Sequence, residues 1–297
     1  MAPRRSRISP ATVFFAVLSL VLAVSLFWLY RTTRRPAPGV PSATPAVSPT
    51  ARPRAARSPR RPAVLAPRLP GTASGKVEPR VAILIDDLGN DRAALERIAS
   101  WPEPVAGAVL PGLPGSASAA RALSESGKEV LLHLPMEPEG YPRVRPGPGV
   151  VLRSQSDDQI AALLDRDLAT VPGAVGINNH MGSAATADPR VMRVVASVLK
   201  RRGLFFVDSR TTGSTVARDA AQAAGVPSAS RRVFLDDVTT EAAVERSLDD
   251  LIRRATEEGA ALAIGHPHPA TLAVLERELP RLEERGVRLV RVKDLVE

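Results

Sequence analysis

The chain has 297 residues, 44% of them hydrophobic, which is enough for a sizeable core. It contains no cysteine, which excludes a disulfide scaffold, a Cys-based zinc site, an iron–sulfur cluster and a thiol nucleophile. The formal net charge of +9 is unevenly spread: residues 1–79 carry 13 Lys and Arg against the single acid Glu78, a net +12, whereas residues 80–297 carry 27 basic and 30 acidic groups, a net −3. That second part has only Trp101, Tyr141, Phe205, Phe206 and Phe234 as aromatics. A basic face interleaved with stacking rings is missing, so nucleic acid is excluded as a partner.

Residues 1–10 carry Arg4, Arg5 and Arg7 and read as a short cytoplasmic N-terminus. Ala11 to Tyr30 is an uncharged, apolar run long enough to cross a bilayer core of roughly 30 Å as a helix. It ends in Phe27-Trp-Leu-Tyr30 followed by Arg31, an aromatic belt rather than the small residues of a cleavage site. The expectation is therefore an uncleaved transmembrane anchor over 11–30. Three Arg flank it on either side, so charge alone does not orient it. Residues 31–79 hold 11 prolines among Ala, Arg, Ser and Thr and read as a disordered, extended linker.

From Arg80 onward, short apolar runs alternate with amphipathic stretches. Expected strands are 81–85, 105–110, 129–134, 174–177, 204–207, 232–235, 260–264 and 287–292, with run lengths suited to strands covered on both faces. Helix signals lie between them: a capping box at Ser156-Asp-Asp-Gln159, and Asp188-Pro189 as N-cap and first helical residue. Gly203, Gly259 and Gly286 stand where helices should stop. The pattern describes one α/β domain over 80–297, either a closed (β/α) barrel or an open parallel sheet.

The rare polar residues cluster at strand ends. Asp86 and Asp87 end the first strand, His133 the third and Asp208 the fifth; His180 follows the fourth, and His266 and His268 follow the seventh. Asp236 and Asp237 end the sixth, where a helix cap or loop anchor is the simpler role. Strand C-termini of parallel α/β folds gather on one face, which carries the ligand site. Adjacent carboxylates repel unless a cation separates their roles, one as ligand and the other free as a base. His133 and His180 would complete an Asp-His-His set with an open position for water. Glu137 is a weaker candidate, because a proline intervenes after His133, and His266 is favoured over His268 because it lies nearer the strand. No G-x-S-x-G elbow, Walker loop, H-E-x-x-H or dinucleotide fingerprint is present, so no nucleotide cofactor is expected. The stretch from Pro135 to Gln155 has no helix or strand period and leaves from the same mouth. It reads as a lid in which Tyr141, Arg143 and Arg145 contact substrate.

The ordered set IDDLG, HLPME, GINNHMGS, FFVDSRT and IGHPHP, spread over residues 80–295, resembles the divergent polysaccharide deacetylase family of bacteria. The resemblance implies a distorted (β/α) barrel of about seven to eight parallel strands. It also implies a hydrolase that removes acetyl groups from N-acetylated cell-envelope glycans with a divalent ion, zinc or zinc-like. By that resemblance Asp86 is the base, Asp87 a metal ligand and His266 the proton donor to the leaving amine. The superfamily pairs two metal His four residues apart; here that stretch holds His133 and Glu137, so the second imidazole falls to His180. Asp208 is then expected to orient an imidazole from behind. Members are typically exported, which implies a single-pass inner-membrane protein with its domain on the periplasmic side. The alternative is a catalytically inactive envelope module that keeps the fold and binds a cell-wall polymer or protein.

Overall fold

The computed structural model describes residues 78–297. The expected anchor at 11–30 and nearly all of the 31–79 linker lie outside the described residues. Among the described residues no helix is long and apolar enough to cross a membrane.

The elements follow in chain order: β1 (Arg80–Leu88), α1 (Arg92–Ser100), β2 (Ala106–Val109), α2 (Ser116–Glu125), β3 (Val130–Met136), α3 (Asp157–Thr170), β4 (Gly176–Met181), α4 (Pro189–Arg202), β5 (Phe205–Asp208), α5 (Ala217–Ala223), β6 (Ser228–Ser230), β7 (Val233–Phe234), α6 (Glu241–Glu258), β8 (Ala260–Gly265), α7 (Pro269–Glu278) and β9 (Arg288–Leu289). The strands are parallel neighbours in the order β6-β5-β4-β3-β2-β1-β8-β7, and β9 pairs with the start of β1. Each strand in the expected set is present. The capping box of Ser156 and Gln159 opens α3, and the Asp188 side chain accepts from the amides of Arg190 and Val191 at the start of α4. The strand missed by sequence reasoning is β6, whose Ser-Ala-Ser has no apolar run to reveal it.

The sheet is a curled half-barrel, not the expected closed barrel. Strands β6 and β7 end the order and share no ladder among the described residues. Only Arg231 and Arg232 join them, and two residues cannot make the crossover that parallel pairing requires. Instead the Arg231 amide donates to the Asp208 carbonyl on one side, and the Arg232 amide to the Leu262 carbonyl on the other.

Strand parity divides the core in two. Val81, Ile83 and Ile85 of β1, Leu132 of β3, Ile177 of β4 and Phe206 of β5 pack towards the helices. Ala82, Leu84, Ala106, Ala108, Leu131, Phe205, Val207, Leu262 and Ile264 fill the inside of the curl, with Val292, Leu295 and Val296 against them. Extending the inner parity by one step past each strand's apolar run reaches Asp86, His133, Ser209 and His266. Those side chains therefore continue the inner face into the mouth of the curl.

The segment after β3 is tied to the body. Glu137 donates its amide to the Val151 carbonyl, and Val151 donates to the Pro135 carbonyl. Gly149, at φ +72°, lies over Asp167 of α3, so that a Cβ there would stand 2.5 Å from Asp167 Oδ2. Tyr141, Arg143 and Arg145 are exposed on this segment, and none makes a hydrogen bond or ion pair with a strand-end His or Asp.

Asp167 is 6% exposed and its Oδ2 has no hydrogen-bond partner. Burial pushes its carboxyl up to about 7, against a smaller opposing pull from Arg166. A raised folded-state value means stability is fully present below the ordinary carboxylate range and is lost as pH rises towards 7. Replacing Asp167 with Asn should therefore leave stability at pH 4 nearly unchanged and raise it at pH 8 by something on the order of 3 kcal/mol, read from urea midpoints.

Candidate metal centre

The first strand brings two adjacent carboxylates to one side by breaking its own pleat. The pairing of β1 with β2 slips between Ile85 and Leu88, three residues of β1 facing two of β2, which is a β-bulge. Asp87 sits within it at φ 59°, a left-handed conformation uncommon for a residue with a Cβ. Asp86 points inward by parity, and the bulge turns Asp87 back to join it.

Beside this pair lie the two imidazoles of neighbouring strands. His133 faces Asn178 across the β3–β4 ladder, and His180 faces Pro135 two positions further along. His180 therefore lies inside β4, not beyond it as expected, and shares a face with Asn178. Asp87 Oδ1 stands 3.2 Å from His133 Nε2 and 3.0 Å from His180 Nδ1, and the two nitrogens are 3.1 Å apart. Donors ~2.0–2.2 Å from a shared divalent ion stand roughly 2.8–3.6 Å apart in octahedral or tetrahedral arrangements, so the observed triangle fits one. Asp87 Oδ1 is buried and receives no hydrogen bond of proper geometry, an orphaned acceptor of the kind a cation satisfies. Burial alone would raise the Asp87 carboxyl, but His133 and His180 outweigh it and hold it far below the ordinary carboxylate range.

Asp86 has a different environment. It is buried, its Oδ1 accepts from Asn178 Nδ2 at 2.8 Å, and its Oδ2 lies 3.5 Å from His133 Nε2. Burial raises its carboxyl, and the pull of His133, His266 and Asn178 only partly offsets this. The adjacent carboxyls are thus driven in opposite directions by their surroundings.

His266 stands on the other side of the mouth, its Nε2 3.9 Å from Asp87 Oδ2. Asp236 holds it twice: His266 Nδ1 donates to Asp236 Oδ1 at 3.0 Å and the His266 amide to Oδ2 at 2.6 Å, while Thr271 Oγ1 donates to Oδ2 at 2.7 Å. Burial would lower the imidazole, but Asp236 and then the charges of Asp86 and Asp87 outweigh it and raise it, favouring the protonated form.

Several expectations are corrected. Asp208 does not orient an imidazole: it accepts from the Arg210 amide at 2.8 Å and from Thr215 Oγ1 at 3.1 Å, capping its own loop. It shares parity with Phe206, which faces the helices, and so points away from the mouth. The orienting carboxylate is Asp236, which shares parity with Phe234 and was read as a simple cap or anchor; Asp237 is exposed. Glu137 is engaged by the Arg153 amide and guanidinium instead of the imidazoles. His268 occupies the N-cap position of α7, exposed and without a side-chain capping bond, its ring centroid 5.9 Å from that of His266. With Asp236 and His266 it forms a second grouping, but there Asp236 Oδ1 and Oδ2 are already occupied by donors. Asn178 was missed, although its place two residues before His180 puts both on one strand face.

Residues 83–296 match the family described as divergent polysaccharide deacetylase. An uncharacterized protein of Haemophilus influenzae Rd is 37% identical over 213 residues, covering 72% of this chain and 75% of that protein. The uncharacterized protein YibQ of Escherichia coli K12 is 39% identical over 218 residues, covering 73% of this chain and 67% of that protein. Among solved structures, an uncharacterized protein from Agrobacterium tumefaciens C58 superposes with a TM-score of 0.71 at 28% identity, covering 75% of this chain and 91% of that one. With a family match that runs from within β1 to beyond β9 and two relatives above one-third identity, the chain belongs to the divergent polysaccharide deacetylase family.

Proposed function

We propose that the domain is a metal-dependent deacetylase that hydrolyses the acetamido group of N-acetylated envelope glycans. The observation that carries this reading is the triangle of Asp87 Oδ1, His133 Nε2 and His180 Nδ1, with Asp86 on one side and the Asp236-held His266 on the other. Asp87, His133 and His180 would hold a divalent ion of zinc type, which would supply Lewis-acid polarisation of the acetyl carbonyl and lower the pKa of a water.

The chain's own groups do the proton work. Asp86, raised by burial, accepts the proton of the attacking water on the Oδ2 that faces the mouth. His266, kept protonated by Asp236, donates from Nε2 to the amine nitrogen, which leaves poorly without a proton. Water adds across the C–N bond: its hydroxyl stays on the acetyl carbon, which leaves as acetic acid, the amine takes the proton from His266, and the proton held by Asp86 returns to His266 through solvent. Asp236 stays ionised throughout, because the hydrogen bonds from His266 and Thr271 outweigh its burial and hold its carboxyl below the usual range.

The reading extends to location. The apolar run 11–30 anchors the chain in the bacterial inner membrane, and the Pro-rich 31–79 segment holds the domain on the extracytoplasmic side, near its polymer. Tyr141, Arg143 and Arg145, exposed on the segment after β3, would contact a hydroxylated or anionic polymer.

Zinc-loaded protein incubated with N-acetylated glucosamine oligomers and with peptidoglycan should release acetate. Asp86→Asn and His266→Ala should each lower kcat by about 100-fold or more, with zinc content unchanged. Absence of acetate release from every N-acetylated substrate by fully loaded protein would favour the non-catalytic envelope module instead.

Full-length protein should sediment with membranes and resist carbonate extraction, whereas a chain starting at Arg80 should stay in the supernatant. A mature N-terminus found within residues 31–79 would show a cleaved export signal.

A further inference from the structure

We infer that Asn178 is a positioning residue that sets the metal ligand and the base together: its Oδ1 fixes the tautomer of His133 and its Nδ2 fixes the direction of Asp86. This inference rests on the proposed metal-dependent reading and names how that site is kept in working order.

Asn178 is fully buried on β4, directly across the ladder from His133. His133 Nδ1 lies 3.0 Å from its Oδ1, and its Nδ2 donates to Asp86 Oδ1 at 2.8 Å and to Ser209 Oγ at 3.2 Å. The amide has one chemically sensible orientation. Its NH2 must face the carboxylate, which only accepts, so its oxygen must face the imidazole. His133 therefore carries its hydrogen on Nδ1 and presents the Nε2 lone pair to Asp87 and His180.

Without that acceptor the imidazole has a competing choice. Asp87 Oδ1 at 3.2 Å and Asp86 Oδ2 at 3.5 Å both lie on the Nε2 side. A buried neutral imidazole places its hydrogen where an acceptor is, and both remaining acceptors would draw it to Nε2, where it blocks a cation. The same amide occupies Asp86 Oδ1 and leaves Oδ2 as the oxygen turned to the mouth. One side chain thus couples ligand and base across three strands.

Two variants separate the roles. Asn178→Leu removes both contacts. Asn178→Asp keeps the acceptor for His133 but makes two carboxyl groups share a proton, which occupies the base. In metal-free protein, at a pH high enough that His133, raised by Asp86 and Asp87, is neutral, long-range 15N–1H correlation spectra should show it as the Nδ1–H tautomer in the wild type and in Asn178→Asp, and as Nε2–H in Asn178→Leu. Zinc affinity, read by chelator competition, should fall 10–100-fold in Asn178→Leu and stay within about threefold in Asn178→Asp. Acetate release should fall at least about tenfold in kcat for Asn178→Asp despite full zinc loading. Retention of the Nδ1–H tautomer and of wild-type zinc affinity in folded Asn178→Leu overturns the inference, as does loss of that tautomer in Asn178→Asp. A wild type that binds no zinc while the tautomers change as expected overturns the metal reading alone.

Discussion

Asp87 Oδ1, His133 Nε2 and His180 Nδ1 stand 3.0–3.2 Å apart, a spacing that their lone pairs tolerate only with positive charge, a proton or a cation, among them. Asp87 Oδ1 is buried and receives no hydrogen bond of proper geometry, so only the charge of the two imidazoles or of a cation offsets its burial. The surrounding groups are arranged to keep the lone pairs pointing inward. Asn178 satisfies the far nitrogen of His133, and the Asp87 carboxyl stays ionised beside the two rings. Asp86, one residue away, is withdrawn from the triangle by Asn178 and raised by burial. The two acids share a backbone and differ in environment because only Asp87 approaches both imidazoles.

That arrangement depends on backbone geometry. A regular strand would send Asp86 and Asp87 to opposite faces, one into the curl and the other among the helices. The bulge between Ile85 and Leu88, with Asp87 at φ 59°, returns the second carboxylate to the first. Close packing below holds this segment: Gly115 at the start of α2 approaches so near that a Cβ would stand 2.0 Å from the Gly89 carbonyl oxygen. The open side of the curl has an equally local origin, in the two-residue link between β6 and β7. On the far wall, Asp236 at the end of β7 and His266 at the end of β8 meet because those strands are neighbours.

Much of this was legible in the residues. Runs such as Val81–Ile85 and Ala261–Ile264 are buried on both faces, and the polar residue that follows each run falls at the mouth. The split between Asp208 and Asp236 was also present but was not used. Asp208 follows Phe206 at a spacing of two and inherits its helix-facing side, whereas Asp236 follows Phe234 and inherits the inner side. Strand ends alone do not distinguish these two acids; parity does. The bulge was not legible, since nothing in Ile-Asp-Asp-Leu marks a register slip that arises from how β1 meets β2. Strand β6 was invisible for a different reason: three small residues carry no hydrophobic pattern, and only pairing with β5 defines them.

The central claim is that Asp87, His133 and His180 hold one divalent ion. Zinc-edge X-ray absorption on zinc-loaded protein tests it most directly, comparing the wild type with His180→Ala and His268→Ala. The expected result is a spectrum with two imidazole nitrogens and a carboxylate oxygen in the wild type, unchanged by His268→Ala and short of one imidazole in His180→Ala. A spectrum that His180→Ala leaves intact, or that His268→Ala alters, would place the ion elsewhere and contradict the account.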